Sequence, residues 1–345
     1  MKRAHYFLTL ILSFICIFGA SAQDHSIRFQ NGTLTVSPLQ DNAVRIRYIE
    51  GEAAELPEWL YVENDDKVSC KKSSKGDITT LRLKGLTLTA DNGSGRVEVA
   101  DSRGVKVFSA LAHELKATTI QGEPTREAKL VIDSPADEYL YGLGQFQDGF
   151  LNVKGMTRRL TQVNTQIAVP FLMSSKGYGI LWNNYGLTDF NPADSKVVME
   201  REAKAGEERR VNVTSTEGGR WEIRRNNNFN GTLEVPEDGQ YVVLLDVGQK
   251  MARKHNLSID GQTVINLVNS WLPPTTTVIV NLTEGSHTLR AELERGDQPV
   301  IYYKKLDDNT VFRSPVAECV DYTVFTGSAD EIMASYREAT GEVPM

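Results

Sequence analysis

Two glycine-punctuated apolar runs, separated by a polar stretch, constrain the fold of this chain more than any other feature. The first run is Tyr139-Leu-Tyr-Gly-Leu-Gly-Gln-Phe-Gln-Asp-Gly149, and the second covers residues 168–186. Short apolar runs bounded by turn residues favour strands that are buried on at least one face. Glycines inside such strands indicate tight turns or a close approach of two backbones. The pattern therefore predicts paired, largely buried strands in the middle of the chain.

Apolar and polar residues also alternate in short segments along most of the rest of the chain. Examples are residues 33–36, 44–48, 86–89 and 105–108. Turn-forming clusters such as Asn31-Gly32 and residues 91–95 separate them. Short alternating strands at this spacing indicate an antiparallel β-sandwich. The predicted fold class is therefore all-β.

One helix is predicted, near the last residue of the sequence. Ser328 and Glu331 have the spacing of a capping box, with Ser328 as the N-cap. Ile332 and Tyr336 would share one face of the helix, and Gly341 lies where a C-terminal stop is expected.

Residues 1–22 predict a secretory signal peptide. A short basic start, Met1-Lys-Arg, precedes an apolar stretch over residues 6–18, and Ala20 and Ala22 form an A-x-A cleavage pattern. The apolar stretch is too short to span a membrane comfortably, and no other stretch approaches that length. We therefore expect cleavage after about Ala22, and a secreted or periplasmic protein with no membrane span.

Charge and cysteine content limit the other partners. A formal net charge of −7 and a pI near 5.4 disfavour nucleic acids and anionic membranes as partners. Cys70 and Cys319 either pair in an oxidising compartment or remain free buried thiols. The histidines are scattered, and neither a C-x-x-C nor an H-E-x-x-H spacing occurs. No metal site and no cofactor are therefore predicted.

Residues 196–313 differ in their residue pattern from the rest of the sequence. A charge-rich run is followed by a G-x-Y strand from Gly239, an Ile-Asp-Gly turn, Trp271 and a G-x-H strand from Gly285. This order resembles the protective-antigen-type β-sandwich module of carbohydrate enzymes and adhesins. The residue pattern of the first part of the chain resumes at Ser314. We therefore predict a β-sandwich domain over residues 23–195 plus 314–345, interrupted by an inserted sandwich over residues 196–313.

The two glycine-punctuated runs, together with Asp321-Tyr-Thr-Val-Phe-Thr-Gly327, resemble the N-terminal β-domain of glycoside hydrolase family 31. The likeness is to its bacterial α-xylosidase-like branch. In that family a (β/α)8 barrel follows this domain and carries the catalytic carboxylates, so the resemblance places them beyond Met345. Retaining glycosidases need two carboxylates about 5 Å apart. No Asp or Glu of this chain is assigned either role, and we predict no catalytic residue.

The resemblance implies the non-catalytic N-terminal portion of an exported α-glycosidase, inactive without its barrel. Its partners would be α-glycosides, for example those derived from xyloglucan, and a catalytic barrel if one is encoded nearby. The alternative is a stand-alone secreted carbohydrate-binding protein or adhesin that uses the inserted module.

Four residues are candidate carbohydrate contacts. In the family, a loop of the N-terminal domain lines the entrance at the barrel's C-terminal face, where barrel active sites lie. The matching loop here offers Gln145, Gln147 and Asp148, whose amide and carboxylate groups suit sugar hydroxyls. The alternative is that these side chains only satisfy backbone groups in a tight loop. Trp271 would either stack on a sugar ring or plug one end of the inserted sandwich, and the plug is favoured because tryptophan is usually largely buried.

Calcium binding by the inserted module is not predicted. Some modules of this type bind calcium through paired aspartates after the G-x-Y strand. Here the corresponding stretch, Asp246-Val-Gly-Gln-Lys250, has one aspartate, whereas hard cations prefer several oxygen ligands. The basic run over residues 250–255 is interpreted as a solvated strand edge.

Overall fold

The structure, a computed structural model, describes residues 24–341 except 55, 63–67, 203–207, 216–217, 249–250 and 295. The predicted signal peptide lies outside the described residues and stays a prediction. Within the described ranges the regular structure is antiparallel β-sheet with one α-helix, α1 (Ala329–Thr340). No helix in this part of the chain is long and apolar enough to cross a membrane. The all-β fold class with one C-terminal helix is therefore confirmed.

The first β-sandwich, termed the host sandwich, consists of two sheets. Its seven-stranded sheet has the spatial order β1 (His25–Phe29), β2 (Gly32–Gln40), β3 (Ala43–Ile49), β26 (Val320–Thr326), β13 (Tyr178–Trp182), β12 (Ile167–Ser174) and β10 (Leu140–Gln145). Its nine-stranded sheet has the order β11 (Arg158–Leu160), β14 (Thr188–Phe190), β25 (Asn309–Ala317), β9 (Glu123–Asp133), β8 (Lys106–Ile120), β7 (Arg96–Asp101), β6 (Leu86–Asp91), β5 (Ile78–Arg82) and β4 (Lys71–Lys75).

The inner faces of these two sheets form one hydrophobic core. Tyr178 and Trp182, both within the second glycine-punctuated run, are almost completely buried. Trp182 stacks on Phe312 with ring centroids 5.7 Å apart, and its Nε1 donates to the Ser314 hydroxyl at 3.0 Å. Because Trp182 belongs to one sheet and Phe312 to the other, this contact joins the two layers and satisfies the only polar atom of a buried indole.

A second sandwich, termed the inserted sandwich, lies between β14 and β25 in the sequence. Its smaller sheet has the order β15 (Ser195–Val198), β24 (Val300–Lys305), β19 (Gly239–Asp246) and β22 (Thr275–Leu282). Its larger sheet has the order β16 (Glu200–Arg201), β18 (Gly218–Val235), β23 (Gly285–Glu294), β20 (Ala252–Ile259) and β21 (Gln262–Leu272), and β17 (Glu208–Ser215) pairs with β18. These strands enclose a hydrophobic core of their own.

The two ends of the inserted sandwich are neighbours. Its first strand, β15, pairs with its last, β24, so that Ser195 lies opposite Tyr303. The returning strand, β25, begins at Asn309 and pairs with β9 of the host sandwich. The domain boundary placed after residue 313 from the sequence therefore falls inside a host strand, because residues 309–313 continue the nine-stranded sheet.

The interpretation of residues 250–255 as a solvated edge is wrong for the described part of that run. Strand β20 pairs with β21 along its length but with β23 only over Leu257–Ile259, so the basic residues have a paired strand on one side; it is their burial that overturns a solvated edge. Lys254 and His255 are buried, and Lys254 pairs with Glu292 at 3.1 Å. Burial lowers the pKa of His255 to about 4, so that this histidine is neutral near pH 7.

Helix α1 packs on the outer face of the seven-stranded sheet. Ser328 accepts a hydrogen bond from the backbone N–H of Glu331, whose side chain accepts one from the N–H of Ser328, which confirms the capping box. Ile332 and Ala339 are buried against the sheet together with Tyr336, and Gly341 is the C-cap with a φ of 89°. Cys70 and Cys319 are both free thiols in the structure.

Replacing residues 195–305 with a short Gly/Ser linker should leave the host sandwich folded. The paired ends of β15 and β24 mean that a short linker closes the gap, and closing a flexible loop costs little extra with length. We expect cooperative unfolding of the host alone and of the excised residues 195–305 alone, followed by circular dichroism. Loss of cooperative unfolding in both pieces would contradict the nested arrangement.

Stability should fall between pH 7 and pH 5, in part because of His113. This histidine is fully buried in the host core, its Nε2 is 2.7 Å from the Tyr322 hydroxyl, and burial lowers its pKa to about 3. Below pH 6.5 the unfolded state takes up a proton that the folded state refuses, so the free energy of unfolding drops as pH falls. At pH 5 this loss is about 2 kcal/mol. In His113→Gln, chemical denaturation at both pH values should show a smaller drop by that amount; an unchanged drop would exclude His113 as its source.

Candidate functional site

The loop that follows β10 is positioned by an irregular, glycine-rich strand. The pairing of β10 with β12 shifts register between Gly142 and Gly144, and both glycines have positive φ values. A β-carbon on Gly144 would lie 2.1 Å from the carbonyl oxygen of Ile167. Only glycine permits this approach, as the sequence pattern predicted. The turn directs residues 145–149 out of the end of the sheet.

An ion pair beneath the loop holds its conformation. Asp148 accepts two hydrogen bonds from Nη2 of Arg158, at 2.6 and 2.8 Å, and another from the backbone N–H of Phe150 at 3.3 Å. The Arg158 guanidinium also lies 4.2 Å from the centre of the Phe146 ring. Burial lowers the pKa of Arg158, while the Asp148 carboxylate opposes this change. The contacts of Asp148 are therefore structural, and its predicted contact with substrate stays a prediction.

The inserted sandwich meets this loop through the end of β21. Nδ2 of Asn269 is 3.4 Å from Oε1 of Gln147, and the Thr165 hydroxyl donates to the carbonyl oxygen of Trp271 at 2.5 Å. Trp271 lies at the end of a strand and is 38% exposed, so it is not the buried plug that was favoured from the sequence. The structure thus brings the loop carrying Gln147 and Asp148 next to the strand carrying Trp271.

The cleft between the loop and the inserted sandwich is narrow. It is lined by Phe146, Arg158, Gln166, Leu272 and Thr276, among others, and has a volume of about 20 Å³. That volume accommodates about one water molecule and no sugar ring. Any carbohydrate contact must therefore come from the exposed side chains above the cleft. We call Gln145, Gln147 and Trp271 the rim; all three have exposed side chains.

A second arginine joins the two sandwiches. Arg159 lies between Asp189 of the host at 3.5 Å and Asp246 of the inserted sandwich at 3.0 Å. Burial acts to lower the pKa of Arg159, but the two carboxylates outweigh it and raise that pKa. Asp246, the aspartate at the position discussed for calcium, is therefore engaged by a guanidinium. In the described ranges, no group of three or more His, Cys, Asp or Glu side chains is arranged to hold a metal ion.

Arg158 and Arg159 were not predicted from the sequence as residues of the site. Their adjacency in Met156-Thr-Arg-Arg-Leu160, inside an otherwise polar connection, was the available signal. Their partners Asp148, Asp189 and Asp246 are distant in sequence, and so the pairing appears only in the fold.

The comparison with known proteins agrees with this architecture. Residues 33–191 match the glycosyl hydrolase 31 N-terminal galactose mutarotase-like domain. The chain therefore contains the N-terminal domain of glycoside hydrolase family 31. An α-xylosidase of Saccharolobus solfataricus is 30% identical over 188 residues, which cover 51% of this chain and 25% of that protein. An uncharacterised family 31 glucosidase of Pseudescherichia vulneris is 27% identical over 183 residues, 46% of this chain and 34% of that protein.

Solved structures show the same fold. The family 31 α-xylosidase of Xanthomonas citri superposes with a TM-score of 0.75 at 21% identity, over 94% of this chain and 40% of that one. An α-xylosidase from a soil metagenome gives a TM-score of 0.53 at 20% identity, over 94% of this chain and 34% of that one. The chain thus spans a quarter to two fifths of the length of these relatives.

Removing the arginine beneath the loop should destabilise the host sandwich strongly. In Arg158→Met the Asp148 carboxylate remains mostly buried without its partner, and breaking such a pair costs about 3–5 kcal/mol. Lys106→Met is the matched control, since its pair with Glu98 is exposed and worth at most about 1 kcal/mol. Urea denaturation of both variants measures the difference. Equal, small losses would show that the Asp148–Arg158 pair does not hold the loop.

Proposed function

We propose that this chain is the N-terminal portion of an exported α-glycosidase of the α-xylosidase or α-glucosidase type. In this proposal it shapes the substrate entrance beside a catalytic barrel and contributes contacts to carbohydrate. The observation that carries the proposal is the match of residues 33–191 to the family 31 N-terminal domain. The leader pattern of residues 1–22 supports export.

The side of the host sandwich next to the loop has the character of an interface. The segment after the loop folds back along β10, where Asn152 Oδ1 accepts from the N–H of Leu140 at 3.0 Å. This leaves Phe150 and Leu151 exposed beside β10, and Ile167 is exposed on the neighbouring strand. We call these three residues the apolar edge. They are spread along β10, the outermost strand of its sheet, from the Leu140 end, where the chain folds back, to Gln145, which lies opposite Ile167. Exposed apolar residues along such an outer strand suit packing against another domain.

The rim lies next to the apolar edge. Gln145 pairs with Ile167 across β10 and β12, and Gln147 contacts the β21 end that carries Trp271. If a barrel covered the apolar edge, the rim would therefore lie at the border of the barrel. Amide groups and an exposed indole there would supply directional hydrogen bonds and a stacking surface for a glycoside.

Three carboxylates of the chain are already engaged by arginines. Asp189 and Asp194 both pair with Arg313, at 3.6 and 2.6 Å. Asp321 pairs with Arg45 at 2.6 Å. These geometries serve the fold, which supports assigning hydrolysis to a barrel and not to these three residues.

Leu151→Lys should abolish association through the apolar edge without unfolding the chain. Leu151 is 79% exposed, so a lysine is tolerated by the fold, while a charge at a packed interface is not. We expect residues 24–345 to self-associate in light scattering and to capture a separately produced family 31 barrel. Val105→Lys, at a site 52% exposed and remote in sequence, is the control and should behave as the parent. Equal association of both variants would contradict the assignment of the interface.

The alternative is a stand-alone secreted carbohydrate-binding protein or adhesin. The exposure of Trp271 favours it to the extent that an indole on a rim suits stacking on a sugar. Two results together would favour this alternative over the proposed function. The chain would be monodisperse and would not bind the barrel, and its glycan binding would disappear in Trp271→Ala.

A further inference from the structure

The outer face of the seven-stranded sheet carries a groove that the proposed function does not use. It has a volume of about 790 Å³, within the range of ligand sites. Its floor includes Arg45 and Arg47 of β3 and Asp321 of β26. Residues 56–58 form one wall, and residues 183–186, which follow β13, form another. No rim residue lines it.

Two stacked aromatic side chains mark one border of this groove. Tyr185 lines the groove, and Trp59, which follows the wall residue Glu58, lies just outside the lining and stacks on Tyr185. Trp59 and Tyr185 have ring centroids 4.9 Å apart with planes 33° from parallel. Trp59 is 73% exposed and Tyr185 42% exposed. The Tyr185 hydroxyl accepts from the backbone N–H of Trp59 at 2.9 Å and donates to the carbonyl oxygen of Pro57 at 3.0 Å. The Trp59 indole is therefore ordered but exposed to water, and it presents a flat apolar surface. We call Trp59 the shelf.

Most of the charged groups of the groove are engaged with neighbouring groups. Arg45 donates to both oxygens of Asp321, at 2.9 and 2.6 Å, and to Glu58 at 2.6 Å. Arg47 and Glu318 add one charge of each sign. Two guanidinium and three carboxylate groups leave one net negative charge, which disfavours a phosphate. Asp321 and Glu58 are tied to Arg45, and Glu318 accepts from the backbone N–H of Ala54. The floor instead offers fixed donors and acceptors to a neutral ligand.

One donor of the floor lacks a partner. The Nε of Arg47 is buried and makes no hydrogen bond to any described residue. Since this atom has no exposed surface, a ligand hydroxyl would instead meet the end of the same side chain, which is about one third exposed and whose Nη2 lies 3.6 Å from Asp24. At the wall, Asn183 Nδ2 is used by Asp321 at 2.9 Å and Asn184 Nδ2 by the carbonyl oxygen of Val316 at 3.1 Å.

We propose that this groove binds a neutral saccharide, with the apolar face of one pyranose ring on Trp59 and its hydroxyls toward Arg47 and the Asn183 and Asn184 amides. Sugar hydroxyls both donate and accept, so they match a floor that presents guanidinium and carboxylate groups together. A proline-rich peptide would also fit an aromatic shelf, but proline carries no N–H to offer the carboxylates. The proposal is independent of any barrel.

Strand directions place the shelf and the rim at the same end of the sheet. Strand β10 is antiparallel to β12, and β12 is antiparallel to β13, so β10 and β13 run in the same direction. The loops after them, which carry Gln147 and Tyr185, therefore emerge at one end. Two strand spacings separate them, about 10 Å. An oligosaccharide of a few residues bound on the shelf would thus lie along this end of the sheet and extend either toward the rim or away from it.

The test is affinity electrophoresis of the full mature chain in gels that contain xyloglucan, arabinoxylan or dextran. We expect at least one polysaccharide to retard the chain, and Trp59→Ala to raise the dissociation constant at least about tenfold. Trp221→Ala is the matched control, because Trp221 is 63% exposed on the inserted sandwich and should leave retardation unchanged. Loss in Trp271→Ala with binding intact in Trp59→Ala would assign the glycan to the rim and overturn the groove proposal alone.

A second measurement avoids disturbing the groove. In a Trp221→Phe, Trp271→Phe background, Trp59 is the one exposed tryptophan, because the fourth, Trp182, is buried. Xyloglucan oligosaccharides should then reduce acrylamide quenching of its fluorescence in a saturable manner. Unchanged quenching at saturating saccharide, or protection by a polyproline peptide instead, would overturn the proposal.

Discussion

The fold depends on the insertion of β26 between β3 and β13. All seven residues of β26 are buried, and the strand pairs with a neighbour on each side. Without it the seven-stranded sheet would separate into β1–β2–β3 and β13–β12–β10. Because β26 follows the inserted sandwich in sequence, the host sheet closes only after the whole insert has been synthesised. The close ends of β15 and β24 make this compatible with folding, since the insert adds no long gap to the host.

The junction between the two sandwiches follows from the alternation of side chains along a strand. Arg158 and Arg159 are successive residues of β11, so their side chains leave opposite faces. One reaches Asp148 beneath the loop, and the other reaches Asp189 and Asp246 across to the insert. Two adjacent charges therefore fix the loop and the insert independently. In a partly buried junction each guanidinium needs such partners, because an unpaired charge there would be costly.

Much of this could be predicted from local patterns in the sequence. In β23, predicted as the G-x-H strand, the alternate residues His287, Leu289, Ala291 and Leu293 share one face, and all four are buried. The capping box of α1 and the close approach at Gly144 also depend on neighbouring residues alone. What local patterns could not show was which strands are neighbours. Strand β20 carries a basic run typical of an edge, yet Lys254 is buried and is neutralised by Glu292 from a strand 38 residues away. The position of Trp271 was also beyond local patterns. The end of β21 that carries it lies beside the host loop, and that loop is distant from Trp271 in sequence.

The outer face of β3 decides where the sheet is covered and where it stays open. Its inner residues, Val44, Ile46 and Tyr48, are all apolar or aromatic and buried in the host core. Its outer residues run from Ala43, which packs under α1, to Arg45 and then Arg47. The change occurs at Tyr61, whose ring lies 4.6 Å from the Arg45 guanidinium and whose hydroxyl is 2.6 Å from that of Thr323. On the Ala43 side of Tyr61 the sheet presents an apolar surface that packs against α1. On the other side it presents charged groups, and an apolar element that covered them would remove their hydration without offering hydrogen bonds in return. The groove is therefore a consequence of the sequence of one strand, and an occupant with its own hydroxyls is the kind that such a floor accepts.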